Sequence, residues 1–443
     1  MKARQLAEQI CEKLRDAGHQ ALFTGGCVRD LLLKREPVDY DVATDSRPEE
    51  VQKLFPGSIA VGAQFGVIVV IEDDVQVEVA TFRSDLGYAD GRHPVAVKFS
   101  ATPDQDARRR DFTINGLMMD PRDRHILDYV GGQADLVAGI LRAIGEPDLR
   151  FDEDKLRMVR AVRFAARFGY AIEAATRAAI VKRASEIAQV SQERLRDELT
   201  RMLTEGAARR AFELLDETGL LPELLPEISR MKGVAQPPQF HPEGDVWIHT
   251  LLMLEQLSVG CSPTLAWGVL LHDVGKPPTF KAPTGPSDRI RFDEHVEVGT
   301  RMAEEICRRL RFSNDDTEQI ALLVANHLRF KDVAQMRAST LKRFVRLPRF
   351  EEHLELHRLD CLSSHRDLTC YDFTRRFLAD TPPEAVRPPR LMTGNDLKEM
   401  GYAPGPTFKQ ILRAVEDAQL DGKIQTHEEA IKMVRSTFPA RNA

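Results

Sequence analysis

Two aspartates one residue apart, Asp39 and Asp41, follow a glycine pair, Gly25-Gly26, and an arginine, Arg29. If residues 38–42 form a strand, its side-chain period of two sets both carboxylates on one face and Tyr40 and Val42 on the other. Neighbouring hard anionic oxygens suit Mg2+, which binds through one or two carboxylates plus substrate phosphates. Without a Cβ, Gly26 and its neighbour let a backbone turn come close to a phosphate. The planar fork of Arg29 can clamp phosphate oxygens. A lone D-x-D is common on solvated strands, but the combination points to metal-assisted phosphoryl or nucleotidyl transfer.

Three further stretches carry reactive types. In 75–82, Gln76, Glu78 and Ala80 share one strand face, so Glu78 can join the aspartates as a third acid; the plain alternative is an exposed strand glutamate. Arg108-Arg109-Arg110-Asp111 runs into Thr113 and Asn115. A triple arginine is often a solvated face, but here it adjoins acceptors for a ribose hydroxyl. Residues 151–164 read as one helix with acids in its first turn. Asp154, Arg157, Arg160 and Arg163 recur along it every three residues. As surface ion pairs they are worth only about 0.2–0.5 kcal/mol each. As a recognition face they do more. Cytosine and adenine both present an amino donor beside a ring-nitrogen acceptor, whereas uracil and guanine present a carbonyl there. An accepting Asp154 beside a donating Arg157 would admit C and A and leave buried groups unpaired against U and G.

The order Gly-Gly-x-x-Arg-Asp, D-x-D, V-E-V-x-T-F-R (77–83), R-R-D-F-T-I-N (109–115) and E-D-x-x-R (153–157) resembles the class II tRNA nucleotidyltransferases and the related bacterial poly(A) polymerases. The resemblance covers roughly residues 20–230. It implies transfer of nucleotides from CTP and ATP to a tRNA 3′ end, with Mg2+ on Asp39 and Asp41 and Glu78 assisting. It implies that Arg110 contacts the nucleotide, that Asp111 reads its 2′-hydroxyl, that Asp154 and Arg157 read the base and that Arg160 and Arg163 add contacts. The segment 82–94 matches a mobile loop found in members that add the terminal adenosine. Ser191–Glu198 matches a helical brace. CCA addition, A addition and poly(A) synthesis share these motifs, so all three readings stand at this level.

A second set lies downstream: His249, His272-Asp273, His295, His327 and Asp360. Each histidine alone is more simply a structural or exposed residue. Mixed imidazole and carboxylate ligation suits Mn, Fe, Ni or Zn better than Mg. The series resembles the HD phosphohydrolase superfamily. That implies His249, His272, Asp273 and Asp360 as the core ligands, His295 and His327 as the extra ligands of two-metal members, and Lys276 near a bound phosphate. A metal-dependent phosphohydrolase with an RNA-binding head is therefore the rival reading from another class.

These residues need several domains to position them, as 443 residues exceed one core. The expected fold is α+β: a nucleotidyltransferase head with a small antiparallel sheet over 1–138, a helical neck over 139–232 and an HD-type helical domain over 240–372. A helical tail is expected over 388–443. Asp128–Leu136, with Gly131-Gly132, is the expected hinge between head and neck. Residues 236–242 read as a linker. Hydrophobic residues make up 42% and charged residues 29%, ordinary for a globular protein. No run of about 18 apolar residues suggests a membrane span. The first residues form an acid-bearing amphipathic pattern rather than a targeting peptide. Six scattered cysteines fit a reducing cytoplasm. The net charge of −6 means that RNA binding must rely on local arginine patches. Oligomeric state is not legible.

Overall fold

The computed structural model describes residues 2–62, 66–88, 94–99, 102–239, 241–285 and 288–439. The chain divides into two units, Met1–Ser229 and Arg230–Ala443.

The first unit opens with α1 (Ala3–Asp16), whose Leu6, Ile10 and Leu14, one turn apart, are buried against the sheet. There follow β1 (Ala21–Thr24), α2 (Gly26–Leu32), β2 (Asp41–Thr44), α3 (Pro48–Leu54), β3 (Ile59–Gly62), β4 (Val67–Glu72) and β5 (Val75–Thr81). Next come β6 (Arg83–Tyr88), β7 (Pro94–Phe99), α4 (Pro103–Arg108), β8 (Met118–Met119) and β9 (Ile126–Leu127). One seven-stranded sheet runs in the order β3-β4-β5-β2-β1-β8-β9. Its neighbours are antiparallel, as expected, apart from β2 and β5, which pair in parallel. In that pair Asp41 stands opposite Glu78. Val77 and Val79 turn into the core with Val42. The period of two therefore sends Glu78 outward.

Sequence and structure differ in three places here. The ladder starts at Asp41, because Pro37 cannot donate to it and residues 38–39 bend. The alternation survives all the same, with Tyr40 and Val42 buried and Asp39 exposed. The expected loop over 82–94 contains β6, which pairs antiparallel with β7, while residues 89–93 of it lie outside the described residues. Third, of the glycine pair at 131–132, Gly132 is closely packed while Gly131 has open space around it. The Asp128 carboxylate accepts the N–H groups of Val130, Gly131, Gly132 and Gln133. A Cβ at Gly132 would lie 2.2 Å from the Thr113 carbonyl oxygen, so chain and head touch closely there.

The rest of the first unit comprises α5 (Gly132–Ala138), α6 (Pro147–Glu153), α7 (Leu156–Phe168), α8 (Ala174–Arg183), α9 (Gln192–Thr204), α10 (Ala208–Glu217), α11 (Leu220–Leu224) and α12 (Pro226–Ser229). The single helix expected over 151–164 is broken. Asp154 is extended between α6 and α7, and its side chain accepts the Leu156 N–H at 3.1 Å. Aspartate favours such a cap over a helix interior. Met158, Val159 and Val162 of α7 are fully buried, leaving the arginines on another face.

The second unit contains α13 (Val246–Glu255), α14 (Pro263–Leu271), α15 (Lys276–Thr279), α16 (His295–Arg309), α17 (Asn314–Asn326), α18 (Ala338–Phe344), α19 (Phe350–Ser363), α20 (Thr369–Asp380) and α21 (Pro383–Val386). Its tail, α22 (Gly394–Glu399), α23 (Pro406–Leu420) and α24 (His427–Thr437), has its own apolar cluster around Leu397, Ile411, Val415 and Val434. Thr393 and Asp396 form a reciprocal cap at the start of α22. Arg343 and Arg346 grip Glu416 of the tail at 2.7 and 2.6 Å. Among the described residues, no helix is long and apolar enough to cross a membrane.

Candidate active site and metal centre

The turn between β1 and α2 begins the head site. Gly25 takes φ +71° and donates its N–H to the Leu117 carbonyl at 3.1 Å. A Cβ at Gly25 would lie 2.8 Å from Arg110 Nη1 and 3.8 Å from Asp41 Oδ2, so turn, arginine and acid meet at one point. The side chain of Arg110 is anchored on buried Asp106 at 3.1 Å. Asp41 and Glu78 sit side by side across the parallel pair. Burial, then the nearby charge of Glu78 and more weakly of Asp39, pushes the Asp41 carboxyl up to about 6, while Arg110 pulls the other way. Among the described residues, these acids do not form a closed group within reach of one ion. They are an open carboxylate edge, the form that Mg2+ fits when phosphate oxygens and waters complete its shell.

Arg29, expected to clamp phosphate, is buried instead. Nη1 donates to Asn115 Oδ1 at 2.6 Å and Nε to Asp30 Oδ1 at 2.8 Å. Its guanidinium lies 4.6 Å from the Phe168 ring centre. It ties the glycine turn to Asn115 and to the neck helix, and Arg110 is the cation at the turn. Asp111 accepts two bonds from Arg160, at 2.7 and 3.0 Å, and one from Asn115 at 3.1 Å. Against the cost of burial, the charge of Arg160 and these bonds hold its carboxyl down to about 2. Asp111 is therefore a permanent acceptor.

On the neck, Asp154 is held by Arg194 at 2.7 Å and Arg157 by Glu153 at 2.7 Å. Arg157 also donates to the Arg150 and Arg109 carbonyls, at 3.2 and 3.3 Å. Its five donors exceed these three bonds. Glu198, one turn beyond Arg194 on α9, takes Arg163 at 2.6 Å and Arg160 at 3.4 Å. Arg163 also meets Glu205 at 2.9 Å, and both it and Glu198 are nearly closed to solvent. Arg163 thus braces helices rather than facing a ligand. The structure brings Arg110, Asp111, Arg157 and Arg160 into one connected network, with Arg150 donating to the Arg109 and Arg110 carbonyls at 2.6 Å.

In the second unit, the imidazoles of His249, His272, His295 and His327 each leave Nε2 buried without a hydrogen-bond partner. Nδ1 of His272, His295 and His327 faces the carbonyls of Val269, Phe292 and Val324, at 2.7 to 2.8 Å. Those carbonyls fix the proton on Nδ1 and leave Nε2 as a lone pair. Two groups around His272-Asp273 lie within reach of an ion, His249, His272 and Asp360, and Asp273, His295 and His327, and a third, His241, Glu243 and His249, adjoins them. Asp273 Oδ2 is 3.1 Å from His272 Nε2, and Oδ1 is 3.8 Å from His327 Nε2, so its carboxylate stands between the groups. Lys276 Nζ lies 2.6 Å from the same carboxylate and 2.6 Å from Gln236 Oε1. Orphaned ring nitrogens around buried acids fit a divalent metal.

Residues 236–242, read as a linker, contribute more than that reading supposed. His241 and the following Glu243 close on His249, with Glu243 Oε1 2.9 Å from His241 Nδ1 and 2.7 Å from His249 Nδ1. An acid within six residues of a candidate ligand histidine was the available signal. Asp106, the anchor of Arg110, had none beyond i,i+4 spacing.

Residues 21–142 match the Poly A polymerase head domain family, and residues 169–232 the family of the probable RNA and SrmB-binding site of polymerase A. Residues 246–362 match the HD domain family. A CCA-adding enzyme of Geobacillus sp. (strain WCH70) is 31% identical over 434 residues, 96% of this chain and 95% of that protein. A CCA-adding enzyme of Bacillus subtilis (strain 168) is 43% identical over 209 residues, 47% of this chain and 52% of that protein. Among solved structures, the Bacillus stearothermophilus CCA-adding enzyme in complex with CTP aligns with a TM-score of 0.71 and 27% identity, over 98% of this chain and 99% of that one.

The raised Asp41 carboxyl predicts a trade of stability for chemistry. Its protonated form contributes stability below about 3.8 that is lost as pH rises through about 6. Asp41→Asn should raise the melting temperature of the metal-free protein by a few degrees at pH 7.5, and the gain should shrink by pH 5. Nucleotide transfer should fall at least about a thousandfold. Thermal melts at both pH values and a transfer assay check this.

Proposed function

The chain belongs to the family of CCA-adding enzymes, and from that membership and the geometry of the head we propose that it builds CCA onto tRNA 3′ ends from CTP and ATP. The observation that carries the reading is the register of β2 and β5, which sets Asp41 beside Glu78 at the glycine turn. Mg2+ on Asp39 and Asp41 would supply the charge that offsets the triphosphate and the developing 3′-alkoxide. Arg110 orients phosphate oxygens, Asp111 accepts the ribose 2′-hydroxyl and Glu78 polarises the attacking hydroxyl. The 3′-oxygen forms its bond to the α-phosphorus, the bond to the bridging oxygen breaks and pyrophosphate leaves. Asp154 and Arg157 read the base edge, with Arg194 and Glu153 holding them in place. Arg29 and Arg163 serve by positioning. In this reading the head spans 1–138, the neck 139–232, the HD-type domain 240–372 and the tail 388–443, and the protein works in the cytoplasm.

A second activity is favoured by the Nε2 atoms of His249, His272, His295 and His327, which converge on the carboxylates of Asp273 and Asp360. His249, His272, Asp273, His295, His327 and Asp360 would hold a transition metal, and Lys276 would meet a phosphate beside it. The reaction class is phosphoester hydrolysis.

The purified chain, given tRNA ending before CC and each labelled nucleotide singly, should incorporate CTP and not ATP, and should take ATP on tRNA that already ends in CC. Incorporation of ATP alone would point to A addition or poly(A) synthesis. Arg157→Ala should cut the preference for CTP over UTP by at least about tenfold, with triphosphate binding weakened by less; an unchanged preference would remove Arg157 from base reading. Elemental analysis should find Mn, Fe, Ni or Zn bound to the wild type and lost in His272→Ala, with CTP incorporation retained. Equal metal in both proteins would contradict the ligand set.

A further inference from the structure

The helix α4 ends at Arg108, and carbonyls at a helix C-terminus lack intrahelical partners. The two that follow, those of Arg109 and Arg110, are taken by a single nitrogen: Arg150 Nη2 of α6 donates to each at 2.6 Å. These carbonyls belong to the two peptide planes that flank the Arg110 Cα. Pinning both planes fixes the backbone torsions of Arg110, and with them the direction of its side chain and the start of Asp111. Asp106 holds the side chains of Arg109 and Arg110, at 2.7 and 3.1 Å, so backbone and side chains are clamped by separate groups.

The other arm of the same guanidinium serves the residues assigned to the base. Arg150 Nη1 lies 2.7 Å from Glu153 Oε2, and Arg157 Nη1 lies 2.7 Å from that same oxygen. Arg157 Nη2 reaches back to the Arg109 carbonyl at 3.3 Å, which closes the ring. The side chains of Arg150 and Arg157 are only 12% and 11% exposed, so water does not readily replace these bonds. A lysine in place of Arg150 could not span the ring, because its donors sit on one nitrogen rather than on a planar fork.

We propose that Arg150 is a positioning residue that sets the separation between the base-reading pair and the ribose and phosphate contacts, so that base choice and sugar choice depend on each other. The proposal rests on the reading of Arg157 and Asp111 as base and ribose contacts. A nucleotide has a restricted span from its pairing edge to its 2′-hydroxyl. It satisfies both contacts at once only if their separation is held, and a misplacement near 1 Å is enough to cost on the order of a hundredfold in rate. Arg150 acts on both selections through Arg110, Asp111 and Arg157.

The full chain is assayed on tRNA ending before CC with CTP, UTP and 2′-deoxyCTP, and ratios of kcat/KM are compared, since a ratio does not depend on the fraction of folded enzyme. In Arg150→Lys the preference for CTP over UTP and that over 2′-deoxyCTP should fall together, each at least about fivefold, the scale of one lost hydrogen bond. Both ratios within about twofold of wild type would leave Arg150 a support of the fold alone and overturn the proposal, as would loss of one ratio without the other. Glu153→Ala cuts only the base-side arm, and it tests the bridge where Arg150→Lys fails to fold. The preference over 2′-deoxyCTP should fall in that variant too, and a change confined to UTP would overturn the bridge. Absence of CTP incorporation by the wild type would instead overturn the reaction assigned to the head. The coupling is then read from calorimetric affinities for the three triphosphates, where both ratios moving together in Arg150→Lys uphold it and unmoved ratios overturn it.

Discussion

Like charges on one sheet edge repel, and the register of β2 with β5 leaves Asp41 and Glu78 no way to avoid each other. The valines that flank them fix that register. Slipping β5 by one residue would turn Val77 and Val79 out of the core and Glu78 into it. Hydrophobic burial thus holds an arrangement that electrostatics alone would disperse, and burial first, with the Glu78 charge second, lifts the Asp41 carboxyl to about 6. Cations must offset the gathered charge. Arg110, pinned by Asp106 over Gly25, offsets part. The remainder is what a divalent ion and a triphosphate would meet.

From that edge charge-assisted hydrogen bonds run to α7 and α9, beside the Phe112–Phe164 ring contact. Asp111 accepts Arg160, Arg160 reaches Glu198, and Glu198 holds Arg163. Breaking a buried pair such as Arg163–Glu198 costs about 3–5 kcal/mol, far above the few tenths of a surface pair. The arginines every three residues therefore divide their work. Arg163 locks helices together, Arg160 joins Asp111 to α9, and Arg157 keeps unused donors. The second unit uses burial in a related way. Backbone carbonyls take one nitrogen of three imidazoles and leave the other turned on buried acids.

Much of this was legible where side-chain type and spacing suffice. The alternation around Tyr40 and Val42 put both aspartates on one face, and the valines of β5 put Glu78 outward. The R-R-D-F-T-I-N stretch and the histidine series could be named as candidates from order alone. What could not be read depends on partners far away in the chain. Arg29 looks like a phosphate clamp until Asn115, 86 residues on, and Phe168 enclose it. The helix over 151–164 looks continuous until Asp154 caps α7 with its own side chain. Gly131-Gly132 reads as one joint in the sequence, whereas in the structure the Thr113 carbonyl lies against Gly132 and Gly131 has open space. Glycine marks both freedom and close approach, and only the neighbours tell which.

The central claim is that the edge formed by Asp39, Asp41 and Glu78 gathers metal and triphosphate while Asp154 and Arg157 face the base. Diffraction from crystals of the chain with Mn2+ and a non-reactive CTP analogue, using the anomalous signal of the metal, tests it most directly. The account predicts manganese within bonding distance of Asp39 and Asp41, and the pairing edge of cytosine on Asp154 and Arg157. Manganese away from those carboxylates, or cytosine turned from Arg157, would contradict it.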